Sequence, residues 1–143
     1  MDTRQIIMNF TVSPSLEDLR VLADSIFEDM PEELLEFCED LQVLVEEFVD
    51  EATEIELELD DPYDLPVLYR NGKEISPGVE RKSAETEDIL ILYRRSMLDM
   101  WCGTGDDLTK LMRQVMIEEI GRQFGFSEQE IKDMTNRHYQ GLL

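Results

Sequence analysis

The chain has 143 residues, 42% hydrophobic and 33% charged, with a formal net charge of −21. That balance predicts one globular domain over residues 1–143, with a sizeable core, and not a disordered chain. The charge disfavours nucleic acid as a ligand, because binding phosphates requires lysine and arginine to displace counterions.

The first ten residues, MDTRQIIMNF, are too weakly apolar for a secretory signal, and no apolar run approaches the ~20 residues that span a bilayer. No membrane association and a cytoplasmic location are therefore expected. Residues 6–12 are β-prone, a strand or an extended lead-in. Pro14 and Ser15 open a helix in which Leu16, Leu19, Val21, Leu22, Ile26 and Phe27 recur at helical spacing. Pro31 starts a short acidic helix with Leu34, Leu35 and Phe37 as its inward side. Residues 41–49 (LQVLVEEFV) are the best strand candidate. Residues 54–59 (EIELEL) alternate strictly and predict a strand with one wet face; because glutamate is a poor strand former, a helical continuation stays open.

Residues 60–66 (DDPYDLP) form a loop, and Asn71-Gly72 between LYR and KEI is a two-residue hairpin signal. Residues 76–88 are loop-like, and residues 89–93 (ILILY) predict a central strand. A short helix over residues 94–101 follows, ended by Gly103-Thr104-Gly105. Asp106 is the expected N-cap of the main helix, whose apolar face is Leu108, Leu111, Met112, Val115, Met116, Ile120 and Phe124. Gly125 suits its stop, and Ser127 with Glu130 makes a capping box for a last helix to about Arg137. The fold class is α+β.

Charge is unevenly spread. Residues 17–64 carry 20 acidic side chains against one base, Arg20, which is either a solvated face or a docking surface for a basic partner. The two cysteines, Cys38 and Cys102, lie far apart and are expected to be buried free thiols. Asp60, Asp61 and Asp64, or Asp106 and Asp107, lack calcium-loop spacing, and turn and cap roles account for them. His138 is the sole histidine and supplies no metal pair.

The candidate chemistry sits in residues 115–131, VMIEEIGRQFGFSEQEI. At 100° per residue, Glu118 and Arg122 share a helix line with Leu111 and lie beside Val115, while Glu119 points one residue step away. Glutamate followed by arginine at i, i+4 is the favourable order for a helical ion pair. This segment resembles the active-site helix of the small bacterial zincin-like metallopeptidases, minimal single-domain enzymes with an HExxHxxG helix and an acidic third ligand shortly after. Residues 118–125 lie over HEIGHHFG, and residues 61–69 and 88–95 resemble family segments that precede the helix. The likeness extends over residues 14–137. It implies a small mixed sheet packed on the site helix and on N-terminal helices, with those two family segments fitting a strand along the substrate cleft.

Carried over by register, Glu119 stands at the general-base position, and Glu118, Arg122 and Glu128 stand at the three metal-ligand positions. Two of those ligands are histidines in the family, and arginine has no lone pair for a metal. The resemblance therefore implies the scaffold without its zinc, hence no cofactor and a catalytically inactive module for a protein or extended peptide, with basic partners favoured. Two other readings stay open. One is a hydrolase with a carboxylate metal site of Glu118, Glu119 and Glu128, suited to magnesium, manganese or calcium. The other is an acidic interaction module for basic partners, or a nucleic-acid mimic.

Overall fold

A computed structural model of the chain describes residues 13–72 and 87–141, with side chains described up to residue 136. The strand expected over residues 6–12, the hairpin partner KEI and most of the loop over residues 76–88 lie outside the described residues.

The described residues form an α+β fold. Helix α1 (Leu16–Glu28) and the single turn α2 (Glu32–Leu35) precede strand β1 (Gln42–Glu46) and helix α3 (Glu51–Glu56). A 3-10 turn (Pro62–Asp64) leads into β2 (Val67–Arg70), and β3 (Ile89–Tyr93) runs directly into α4 (Arg94–Thr104). Helices α5 (Leu108–Gln123) and α6 (Glu128–Gly141) complete the described chain. The sheet order is β1-β3-β2, with β1 parallel and β2 antiparallel to β3. The all-apolar run ILILY is thus central, as its lack of alternation predicts.

Register aligns Val43, Leu90 and Tyr69 in one row and Val45, Leu92 and Val67 in the next. These rows face helices α1 and α5, which pack side by side, α1 against β1 and α5 against β2. Leu19, Ala23, Leu34, Met112, Met116, Ile117 and Ile120 fill the space between, all fully buried. Helix α1 begins as its sequence implies: Ser15 accepts from the Asp18 amide, and Asp18 accepts from the Ser15 amide. That reciprocal pair satisfies two otherwise orphaned donors.

Several expectations change in three dimensions. Residues 54–59 are not a strand: the chain is helical over Glu51–Glu56, with Asp50 capping through the Thr53 amide at 2.7 Å. Glutamate's helix preference and this cap outweigh the alternation, and Ile55 and Leu57 end 68% and 36% exposed. Phe37 is not an inward residue of α2 but is half-exposed. Cys38 is buried as expected, whereas Cys102 is exposed near the end of α4. The N-cap of α5 is Asp107, which accepts from the Lys110 amide, and the Asp106 carbonyl instead receives the Trp101 indole N–H at 2.7 Å. Asp61 caps the 3-10 turn through Tyr63, the turn role its spacing suggested.

Candidate functional site

Helix α5 is buried nearly all round. Leu108, Leu111, Met112, Val115, Met116 and Ile120 pack inward as their spacing predicts, and Arg113, Ile117 and Gly121 are buried as well. Arg113 sends its guanidinium to the carbonyls of Thr135 (2.9 Å) and Met134 (3.3 Å) on α6. No amphipathic pattern singles out that arginine; only the docking of α6 gives it a role. At Gly121 the side chain of Ile131 on α6 packs close over α5. A Cβ there would lie 2.8 Å from Ile131 Cγ1.

The corner between α5 and α6 is closed by backbone geometry. Gly125 has φ +82°, a conformation that a β-carbon disfavours, and its N–H bonds the Arg122 carbonyl. The Phe126 N–H reaches back to the Gly121 carbonyl at 2.9 Å. Together these bonds are a Schellman closure. Ser127 then starts α6 by accepting from the Glu130 amide while the Glu130 side chain accepts from Ser127 N–H. This tight reversal carries Glu128, the first residue of α6, back beside the last turn of α5.

The result is a linear ion-pair array. Arg122 Nη2 lies 3.7 Å from Glu118 Oε1, and Arg122 Nε lies 3.8 Å from Glu128 Oε2. Gln114 Nε2 donates to the other Glu118 oxygen at 3.2 Å. The three residues predicted at former ligand positions are therefore brought together, with the guanidinium between the carboxylates. Glu118 is the most sheltered, about one-third exposed, and Glu128 is almost fully in solvent. Glu118 and Glu128 stand on the wall of a groove of about 610 Å³ between α5 and α6, which also contains Lys110, Gln114 and Lys132.

Glu119 points elsewhere, toward β2. Burial pushes its carboxyl up from the usual range, while a backbone hydrogen bond at Tyr69 and the Arg122 charge oppose that shift, and Glu118 adds to it. The partner is an edge group. The Tyr93 N–H bonds the Pro66 carbonyl, so by antiparallel alternation Leu68 and Arg70 bond to β3, and Val67 and Tyr69 direct their N–H and C=O away from it. Among the described residues β2 is an outer strand of the sheet, and Glu119 sits against its outer edge.

A zinc site would need two neutral imidazoles on this turn and a carboxylate opposite. The residues present do not make that donor set. Arg122 has no lone pair, its charge opposes a cation, and it is already paired with Glu118 and Glu128. Among the described residues no three His, Cys, Asp or Glu side chains are grouped as a metal ion requires. His138 lies on α6 beyond the described side chains.

Sequence reasoning missed a second group of polar side chains close by. Tyr69 donates its phenol O–H to Asp88 Oδ2, and Asp88 Oδ1 accepts from the Gly72 amide at 2.8 Å. Burial and the Asp88 carboxylate hold the Tyr69 phenol far above its ordinary range. Beneath them, burial and then Asp88 push the Cys38 thiol up to about 11. No local motif announces this cluster, because it joins β2, β3 and the segment after α2.

The comparisons with known proteins agree with the site helix. No curated protein matches the chain. A family model described as zincin-like metallopeptidase matches residues 38–138. That span contains the whole sheet, α5, and all of Glu118, Glu119, Arg122 and Glu128. It begins later than the likeness read from the sequence, leaving α1 and α2 outside the match. A match over more than two-thirds of its length, with the helix, the glycine corner and the first residue of α6 inside it, makes this chain a member of the zincin-like metallopeptidase family.

Proposed function

We propose that this chain is a zincin-like protein that binds a protein or an extended peptide without hydrolysing it and without a metal cofactor. The observation that carries the reading is Arg122, whose guanidinium lies between Glu118 and Glu128 where the family's zinc ligands would converge. An attacking water needs activation, and here no Lewis acid can sit beside Glu119 to lower its pKa. Among the described residues β2 keeps an outer edge. Val67 and Tyr69 turn backbone groups away from β3, which is the geometry of strand addition, and an added strand would displace Glu119 from the Tyr69 group it holds. The acidic surface of α1, α2 and α3 favours a basic partner by long-range attraction. Among the described residues no helix is long and apolar enough to cross a membrane.

Metal analysis of the purified protein, followed by calorimetric titration with zinc, magnesium, manganese and calcium, tests the reading. The expected result is no stoichiometric metal in the native protein and a gain of zinc affinity in the double variant Glu118→His with Arg122→His. Tight stoichiometric binding of any divalent ion to the native chain, abolished by Glu118→Gln, would overturn it in favour of a carboxylate metal site. Binding at the strand edge is read separately, from amide shifts at Val67 and Tyr69 on titration of a capped extended peptide.

A further inference from the structure

Along α5, Leu108, Met112, Val115 and Glu119 follow one another at intervals of four, three and four residues, so they share one face of the helix. The first three are buried in the core, and α5 packs against β2. A carboxylate continuing that apolar row loses hydration, which costs free energy unless a donor replaces the water. The backbone of Tyr69 supplies one. This bond favours the ionised carboxylate, so the Tyr69 N–H donates and Glu119 accepts.

We propose that Glu119 is an autoinhibitory latch on β2, holding the Tyr69 N–H and closing the strand's outer edge until a partner's backbone carbonyl takes its place. The proposal rests on the strand-edge reading of peptide binding and adds to it the contact that a partner must break.

The register makes this one contact decisive. Leu68 and Arg70 spend their backbone groups on β3, which leaves Val67 and Tyr69 to receive an added strand. Strand β2 covers only Val67–Arg70, so the latch occupies one of the two N–H donors that its outer edge offers. An incoming strand gains its first bonds at Val67 but completes the ladder only by displacing a carboxylate, a stronger acceptor than the peptide carbonyl that replaces it. A charged side chain turned onto a sheet edge is also a common protection against indiscriminate strand pairing.

The latch has somewhere to go when it opens. Arg122 lies one turn further along α5, and its charge already acts on Glu119. The ion pairs of Arg122 with Glu118 and Glu128, at 3.7 and 3.8 Å, are longer than hydrogen bonds, so the guanidinium fork can turn donors to a third carboxylate. A Glu119 side chain released from Tyr69 therefore moves toward a cation and is not left as an unpaired ion. The arginine at a former metal-ligand position thus acquires a second role, as the resting place of the open latch.

The test uses the full chain and a capped, uncharged extended peptide of valines and serines. Glu119→Ala removes the acceptor, and the peptide is expected to bind it about tenfold more tightly than the native chain, as loss of a competing charge-assisted hydrogen bond implies. Glu119→Gln keeps a neutral, weaker acceptor oxygen and is expected to fall between the two. Without peptide, hydrogen exchange at the Tyr69 amide is expected to follow the same order, slowest in the native chain and fastest in Glu119→Ala. Should Glu119→Ala not fold, the isosteric Glu119→Gln carries the comparison with the native chain. Equal affinities in native and variant chains, with shifts at Val67 and Tyr69, would overturn the latch and leave the strand-edge reading intact. A gain as large in Glu119→Gln as in Glu119→Ala would assign the effect to charge alone and would also overturn it. If no chain binds the peptide, the strand-edge reading fails. Exchange at Tyr69 then decides the latch: a faster rate in the variants supports it, and an unchanged rate overturns it.

Discussion

Substitution of Gly121 by alanine probes the contact on which the whole site geometry depends. In an exposed helix the change would stabilise by about 1 kcal/mol, because alanine loses less backbone entropy. Here the added Cβ would meet Ile131 Cγ1 at 2.8 Å, Cδ1 at 3.0 Å and Phe126 Cβ at 3.8 Å. Ile131 is 3% exposed and β-branched on a helix, so its first side-chain torsion has little freedom to move Cγ1 aside. Overpacking of this kind costs about 1–3 kcal/mol, and after the helix gain the net expectation is a loss of about 0–2 kcal/mol. Urea unfolding followed by circular dichroism reads this as a lower midpoint at unchanged slope. Ile131→Ala alone is expected to cost about 2–5 kcal/mol, and in that background Gly121→Ala should recover its helix gain. The double-mutant cycle then gives a coupling of about 1–3 kcal/mol, the overpacking cost itself. A single Gly121→Ala that stabilises by its full helix propensity, or additive effects in the cycle, would show that α5 and α6 do not approach as closely as described. The 3.8 Å contact of Glu128 with Arg122 would then lose its structural basis.

Further outcomes follow from the titrating and capping groups. Glu119→Gln is expected to raise the melting temperature at neutral pH, since burial lifts the Glu119 carboxyl above its ordinary 4.5 and penalises the ion. The wild type loses stability as pH rises from that ordinary value through the raised one, so the advantage of the variant should vanish in acid. Glu56→Gln has the opposite sign. The hydrogen bonds from Arg70, at 2.7 and 2.8 Å, lower the Glu56 carboxyl, so its contribution is present above 4.5 and lost as pH falls through the lowered value. A thiol reagent applied to the native protein should label Cys102, which is exposed, and spare Cys38, which is buried with its thiol raised to about 11; Cys102→Ser should remove native-state labelling. Asp107→Ala should cost about 1 kcal/mol as the true cap of α5, whereas Asp106→Ala should be close to neutral in the same unfolding assay.

Local rules located what depends on neighbours along the chain. The helix start at Ser15, the stop at Gly125 and the box at Ser127 with Glu130 rest on contacts within three or four residues, and each forms where the sequence places it; that Ser15 and Asp18 close a capping box is added by the structure. The central strand was legible because a run buried on both faces has no polar alternation. The segment over residues 54–59 was misleading, because alternation of isoleucine and leucine with glutamate fits a strand, yet an Asp50 cap and glutamate's own preference make it helical. The ion pair between Glu118 and Arg122 was likewise readable at i, i+4.

By itself, then, the sequence determined the α+β class, the helix–glycine–carboxylate frame over residues 115–131, and the replacement of two imidazoles by Glu118 and Arg122. Tertiary structure alone decided that Arg122 reaches Glu128 as well, because that depends on the close packing of Ile131 over Gly121, which leaves no room for a β-carbon, and on the reversal at Gly125. It also decided that Glu119 turns to the outer edge of β2, and that Phe37, Tyr69 and Asp88 come to line one concavity. Contacts between residues far apart in the chain are fixed by how helices and strands pack, and packing is set by the summed shape of the core, which no local pattern encodes.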